Sequence, residues 1–302
     1  MKTILITGSE GFVGRSLKEY FKSKGYRVVG LDISQTPDIK VDITSKPEVF
    51  SRLKNLEVDV IIHLAAVANI PKCISDPYGC LLVNCIGTLN MLDIANNLSV
   101  DRFIYASSAN VYGARPKLPV TENGELSPRT PYDYSKVAAE QLVMAYHRSK
   151  ALPTVIFRSW KLFGEYDSST SVVSRFIDAC LKNEPITLYN GGKDVTDPYH
   201  VDNYAKAVEL SINSGKAVGE IFNVGTGSAV SIRQLAETIK QLTSSGSQLV
   251  DLPPRTPEEA EPMISYPSIE KIKNVLGYEP TVSLHDGLRR VINHRRQLLI
   301  KT

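Results

Sequence analysis

The sequence predicts a doubly wound parallel α/β fold with a smaller mixed α/β lobe toward the C-terminus. Three observations predict it. The chain opens on an apolar, β-branched run, Ile4-Leu5-Ile6-Thr7, that leads through three glycines into a helical pattern. Apolar runs and amphipathic stretches then alternate as far as residue 160, the order that builds parallel strands joined by crossover helices. Beyond residue 160 the texture changes: helical patterns shorten, glycines and prolines become frequent, and residues 252–267 hold five prolines.

Taken in order, Ile4–Thr7 reads as a buried strand, and Val13, Leu17, Tyr20 and Phe21 recur at helical spacing. Residues 26–31 form a second apolar run ending at Asp32. The stretch 33–40 is short, polar and contains Pro37, so a crossover helix does not fit, and Val41-Asp42-Ile43 reads as a brief third strand. A helix is expected over 46–55 and a buried strand over 58–66. A proline-punctuated loop is expected over 69–78, then a long helix over 81–98. A strand at 102–107, a loop with Pro116, Pro119 and Pro128, a second long helix at 132–148 and a strand at 153–158 follow. The helix 201–212 and strand 220–224 still read as sheet material. The expected division is therefore residues 1–160, joined by about 190–225, as the sheet domain, with 161–189 and 226–302 as a second lobe. No internal repeat or low-complexity stretch is visible.

Composition excludes several classes. The 302 residues are 42% hydrophobic and 22% charged, values of a soluble globular protein with ample core. A net charge of +3, with no long basic cluster, gives no support for nucleic-acid binding; His294-Arg-Arg296 reads as a solvated helix tail. Cys73, Cys80, Cys85 and Cys180 contain no C-x-x-C pair and no disulfide framework, which points to a reducing cytoplasm. The first strand starts too early for a signal peptide to precede it, and no apolar run reads as a membrane span.

Two constellations carry chemistry. The first is Gly8, Gly11 and Gly14 between strand and helix. Gly8 permits a tight turn, Gly11 lets backbone approach a phosphate, and Gly14 lets the helix pack close to the strand. The helix N-terminus then offers free N–H groups to the anion. Asp32 lies 18 residues past Gly14, close to the ~20-residue offset of an acid that binds the ribose 2′-hydroxyl of a dinucleotide. A carboxylate there repels a 2′-phosphate, and no Arg or Lys follows before Lys40, so NAD is favoured over NADP.

The second is Ser107-Ser108-Ala-Asn110 at a strand end, followed by Tyr132-Asp-Tyr-Ser-Lys136. Tyr132 and Lys136 are four apart, so on a helix both face the same way. A nearby ammonium favours the phenolate, and Ser108 can offer a hydroxyl to the same substrate oxygen. Together they form a proton relay for interconverting an alcohol and a ketone beside a nicotinamide. Alone, Y-x-x-x-K is common; the glycine turn upstream and the strand-end serine make it informative. No metal site is expected.

With these motifs in place, the chain resembles the extended short-chain dehydrogenase/reductases, in particular the NAD-dependent nucleotide-sugar epimerase/dehydratase group, over essentially its whole length. The marks are Thr7–Gly14, Asp32, Asp42-Ile43, His63-Leu-Ala-Ala66, Asn84 with Gly87-Thr88, and Ser107–Gly113. Further marks are Pro131–Lys136, Phe222–Gly225 and Leu276–Pro280. The resemblance implies a Rossmann sheet whose cofactor contacts are Gly8, Gly11, Phe12, Val13, Gly14, Asp32, Asp42, Ile43, Leu64, Ala65, Ala66, Asn84 and Ser107, with Tyr132 and Lys136. Asp42 and Ile43 would meet the adenine, and Lys136 would hold the nicotinamide ribose. Ser108, Tyr132 and Lys136 would be catalytic, and His63 and Asn84 structural rather than catalytic. Substrate contacts would include Ser108, Asn110, Lys161, Thr196 and Arg255, and helices 81–98 and 132–148 would pair across a homodimer.

Relatives that eliminate water or carbon dioxide usually carry an acid after the catalytic Ser/Thr; Ala109 and Asn110 stand there instead. That resembles the 4-epimerases of UDP-glucose and UDP-galactose, and implies transient oxidation of a UDP-sugar and hydride return. Two departures bear on substrate. Lys161 stands where Asn is usual, and Thr196 where an Arg usually binds the diphosphate. Lys161 with Arg255 would then carry the phosphate charge. The alternatives are a dehydrogenase or ketoreductase for a small alcohol without a diphosphate, and a non-catalytic dinucleotide sensor, against which the intact Tyr–Lys–Ser set argues.

Overall fold

The computed structural model describes residues 1–255 and 260–301, with side chains as far as Leu299. At its centre is a seven-stranded sheet whose every pairing is parallel. Its strands are β1 (Thr3–Thr7), β2 (Arg27–Asp32), β3 (Ile39–Lys40), β4 (Val60–His63), β5 (Arg102–Ser108), β6 (Thr154–Ser159) and β11 (Glu220–Val224), in spatial order β11-β6-β5-β4-β1-β2-β3. The order reverses at β1, placing a crevice at the carboxyl ends of β1 and β4, where ligands sit in open α/β sheets.

Helices cover both faces, which is why the central strands read as unbroken apolar runs. On one face lie α1 (Phe12–Ser23) and α7 (Val201–Asn213), whose Leu17, Phe21, Tyr204 and Val208 pack with Ile4, Ile6 and Phe157. On the other lie α2 (Lys46–Leu53), α4 (Pro77–Asn97) and α5 (Pro131–Lys150), contributing Val49, Leu53, Met91, Leu92 and Val143. Complete burial of Leu17 and Phe21 stabilises the α1 contact by roughly 1.5–3 kcal/mol each. The start of α5 is set by a capping box: Thr130 Oγ accepts the Asp133 N–H, and Asp133 Oδ2 accepts the Thr130 N–H.

The remaining elements are short and form three two-stranded sheets. They pair β7 (Lys161–Phe163) with β10 (Pro198–His200), β9 (Val195–Thr196) with β12 (Val230–Ser231), and β8 (Ile186–Tyr189) with β13 (Leu249–Leu252). A separate apolar cluster holds them to α6 (Val172–Lys182), α8 (Ile232–Thr243) and α10 (Leu284–Lys301), through Phe176, Ile177, Leu235, Ile239, Leu288 and Val291. The helix α9 (Glu270–Leu276) packs back on the main sheet through Ile272 and Leu276.

Four expectations need correction. The third strand is Ile39–Lys40, not 41–43: the Val41 N–H makes the last bond to β2, at Asp32 O, and Asp42 then opens a turn through Thr44 and Ser45. The expected loop 69–78 contains a helix, α3 (Ile70–Ser75); Pro71 sits in its first turn, where no N–H is needed, and Asn69 caps it. The third correction is α4, which begins at Pro77 rather than 81, runs through a π-turn at Leu82–Gly87, and is by length and composition apolar enough to cross a bilayer. Half of that window is buried against the fold, and Asn84 and Asn90 inside it are hydrogen-bonded to protein. Finally, Cys73 and Cys80 are joined in a disulfide across α3 and α4, so cysteine usage does not argue for a reducing compartment. A pair seven residues apart becomes adjacent only because the short α3 meets the first turn of α4.

Candidate active site

The glycine loop is built by close approach. Gly8 adopts φ +70°, and a Cβ there would stand 2.8 Å from the Ala65 nitrogen. A Cβ at Gly14 would stand 2.2 Å from the Gly8 carbonyl oxygen, so only glycine lets α1 sit on the strand. Gly11 differs: its nearest neighbour would be 3.4 Å away, leaving the side of the loop open. Gly11 is also the N-cap of α1 and supplies no side-chain cap, so the first N–H groups of the helix are free to meet an anion. Asp32 folds over the same loop, accepting the N–H of Glu10 and of Ser34 at 3.0 Å each. A loop that a Cβ would close on two sides and leave open on the third fits a dinucleotide pyrophosphate.

A cavity of about 730 Å³ opens from this loop across to the second lobe. Its near wall takes in Phe12, Val13, Leu64, Ala66, Ser107, Ser108, Asn110, Tyr132 and Lys136; its far wall includes Lys161, Thr196 and Arg255. Among the described residues, no group of His, Cys, Asp and Glu that could hold a metal ion occurs.

Tyr132 and Lys136 point from one face of α5 to the tip of β5. Lys136 Nζ donates to the Ala106 carbonyl at 2.8 Å and lies over the rings of Tyr105 and Tyr132, at 4.9 and 5.8 Å from their centroids. Burial lowers its pKa from 10.5 to about 8, against the opposing pull of Glu140. Burial pushes the Tyr132 phenol up to about 12, while its hydrogen bond with Ser108 pulls it down. The Ser108 hydroxyl also accepts the Asn110 N–H at 3.2 Å. Within the chain itself, therefore, the phenol keeps its proton at neutral pH and shares it with Ser108. An added positive charge in the cavity favours the phenolate.

Other expected residues fall outside the cavity wall. Asn84 spends its amide on protein, taking the Val67 N–H at 2.7 Å and donating to Val67 O and Ser135 Oγ. Ile43 packs its side chain at Gly87, where a Cβ would stand 2.5 Å from its Cδ1. Asp42 is exposed and bound to Thr44. Ser107 does line the cavity, but its hydroxyl is spent on Glu140, at 2.5 Å. His63 bridges Thr7 and Thr88, and burial, then Lys136, lowers its pKa to about 3, so it is a neutral brace.

Sequence reasoning missed three features. Arg175 on α6 lines the same cavity as Lys161 and Arg255, and Asp194 is the one carboxylate among the described lining residues. The helical period of α6 could have placed Arg175 on its open face; nothing local marks Asp194. The Cys73–Cys80 bridge packs against Tyr132, a juxtaposition with no sequence signal.

Comparison with known proteins agrees with this geometry. The profile of the NAD dependent epimerase/dehydratase family matches residues 4–225. A putative UDP-glucose 4-epimerase of Methanocaldococcus jannaschii is 30% identical, over 96% of this chain and 97% of its own. UDP-glucuronic acid decarboxylase 1 of Xenopus tropicalis is 32% identical, over 99% and 73%. The NAD complex of UDP-glucose 4-epimerase from Thermus thermophilus superposes with a TM-score of 0.87 at 27% identity, covering 97% of this chain and 99% of that one. The open glycine loop, the seven-stranded sheet and the match over most of its length together place this chain in the NAD-dependent epimerase/dehydratase family of extended short-chain dehydrogenases/reductases, with NAD as its cofactor.

Proposed function

We propose that this protein is a UDP-sugar 4-epimerase of the UDP-glucose/UDP-galactose type, acting by transient oxidation to a keto sugar. The observation that carries it is what stands beside Ser108 and Tyr132. Ala109 and Asn110 follow the serine, and the one described carboxylate on the cavity wall, Asp194, lies on the opposite lobe with Oδ1 taking the Met263 N–H at 2.9 Å. No acid among the described residues stands at the neighbouring carbon to drive loss of water.

When bound, NAD supplies reversible hydride transfer. Tyr132 takes the substrate hydroxyl proton and later returns it, Ser108 orients that oxygen, and Lys136 favours the phenolate. Gly8, Gly11 and the start of α1 hold the pyrophosphate, and Asp32 the adenosine ribose. Lys161, Arg255 and Arg175 supply positive charge for the sugar diphosphate in place of an Arg at Thr196. Residues 1–160 with about 190–225 serve the cofactor and 161–189 with 226–302 the substrate, with Asp194 and β9 joining the substrate side through the pairing of β9 with β12. Exposed Leu81, Ile86 and Tyr134 on α4 and α5 support a homodimer through those helices.

A dehydrogenase for an alcohol without a diphosphate is the second possibility, favoured by Thr196. Incubation with UDP-glucose or UDP-galactose, with and without added NAD, separates them. Interconversion without net NADH supports the epimerase; NADH accumulating on simple alcohols, with neither UDP-sugar converted, would overturn it.

A further inference from the structure

The buried face of α5 carries a carboxylate with no part in the proton relay. Glu140 lies one turn beyond Lys136 and two beyond Tyr132, so the three share a face. It is fully buried. Its Oε1 accepts the Ser107 hydroxyl at 2.5 Å and Arg158 Nε at 3.0 Å, and its Oε2 accepts Arg158 Nη2 at 2.6 Å. Arg158 Nη1 in turn donates to the Tyr112 hydroxyl at 2.8 Å and to the Glu122 carbonyl at 3.0 Å. A buried ion pair gains little stability once desolvation is counted, so stability alone does not explain this one.

Its position does. The tip of β5 is tied to α5 at two points one helical turn apart: Lys136 Nζ on the Ala106 carbonyl at 2.8 Å, and Ser107 Oγ on Glu140. Ser108, the next residue, is the one whose hydroxyl meets Tyr132. Arg158 ties the same carboxylate to β6, so Glu140 cannot swing without breaking bonds to two strands. We infer that Glu140 is a positioning residue: through Ser107 and Arg158 it fixes the strand tip that presents Ser108 to Tyr132. This rests on the acid–base roles proposed above.

A second consequence is electrostatic. Lys136 is faced by His63 on β4, Cys85 on α4, Tyr105 on β5, and Tyr132 and Glu140 on α5. Burial lowers His63 and raises Cys85, Tyr105 and Tyr132, so all four are neutral near pH 7. Glu140 is the one charged group of the set, and its removal weakens the ammonium of Lys136.

The test compares Glu140→Gln, Ser107→Ala and Tyr132→Phe in the full chain, measuring NAD affinity by titration and kcat against pH on a UDP-sugar. Ser107→Ala leaves the buried ion pair intact and so keeps the test usable if Glu140→Gln does not fold. Both variants are expected to lower kcat about tenfold through misplacement of Ser108, with NAD affinity within about twofold of wild type. Glu140→Gln alone is expected to move the alkaline limb down by about one pH unit. Wild-type kcat in Ser107→Ala, or in a folded Glu140→Gln, overturns the positioning role, and an unmoved alkaline limb in a folded Glu140→Gln overturns its electrostatic effect on Lys136. Activity retained by Tyr132→Phe overturns the acid–base roles themselves.

Discussion

Replacing Lys136 by Met separates the charge of the side chain from its bulk. The ammonium lies 5.8 Å from the centroid of the Tyr132 ring. For an ammonium and a phenolate about 6 Å apart at an effective dielectric of about 20, the attraction is about 2.8 kcal/mol, equivalent to about two pH units. Lys136→Met is therefore expected to lower kcat at neutral pH about 100-fold and to move the acid limb of the pH profile up by about two pH units, part of the activity returning in alkali. The effect on stability has the opposite sign. Burial brings the folded-state pKa from 10.5 to about 8, so near pH 7 the ammonium is charged in both states and its burial costs the fold about 3 kcal/mol. Wild-type stability should rise as pH climbs from about 8 to about 10.5, where only the unfolded chain holds the proton, and the variant should lack that slope. Met removes this cost but leaves the Ala106 carbonyl without its donor, a penalty of about 1–3 kcal/mol. The net expectation is a Tm at neutral pH equal to or a few degrees above wild type. Steady-state kinetics across pH and thermal melts at neutral and alkaline pH check both halves. An acid limb that does not move, with kcat near wild type, would refute the electrostatic role of Lys136.

Other perturbations follow from the same geometry. Gly14→Ala drives a methyl into the Gly8 carbonyl and the Ser9 backbone, so it should abolish NAD binding in a fluorescence titration and lower Tm. His63 is held neutral with its pKa near 3, so stability should fall as pH drops from about 6.5 toward 3, by about 4–5 kcal/mol in all. His63→Gln should flatten that dependence in denaturant titrations at several pH values. Opening the Cys73–Cys80 bridge by Cys73→Ser with Cys80→Ser should lower stability by about 2–3 kcal/mol, as for a loop of this length. Because both cysteines pack on Tyr132, kcat should fall as well; a double variant with wild-type Tm and kcat would show that the bridge contributes neither.

Legibility followed locality. The glycine loop and the Tyr132–Lys136 pair could be read because each is a short spacing rule enforced by one strand, one turn or one helix, and β1, α1 and α5 form where those rules put them. Strand β3 slipped because Asp42, an apt strand-end residue by pattern, bonds to Thr44 and starts a turn instead. Helix α3 was hidden by Pro71, which breaks a helix interior but suits its first turn. The tie between Ser107, Glu140 and Arg158 joins two strands and a helix across 51 positions of sequence, and no local period announces it. Arg175 and Asp194 reach the cavity only through the packing of the second lobe.

The central claim is that Tyr132 passes a proton while hydride leaves and returns within one site. The most direct measurement follows NADH absorbance and sugar configuration together after mixing the NAD-loaded protein with UDP-glucose, in wild type and in Tyr132→Phe. The expected result is interconversion of UDP-glucose and UDP-galactose with no net NADH, and its loss by about a thousandfold in the variant. Stoichiometric NADH with no change at the sugar, or interconversion undiminished in Tyr132→Phe, would contradict it.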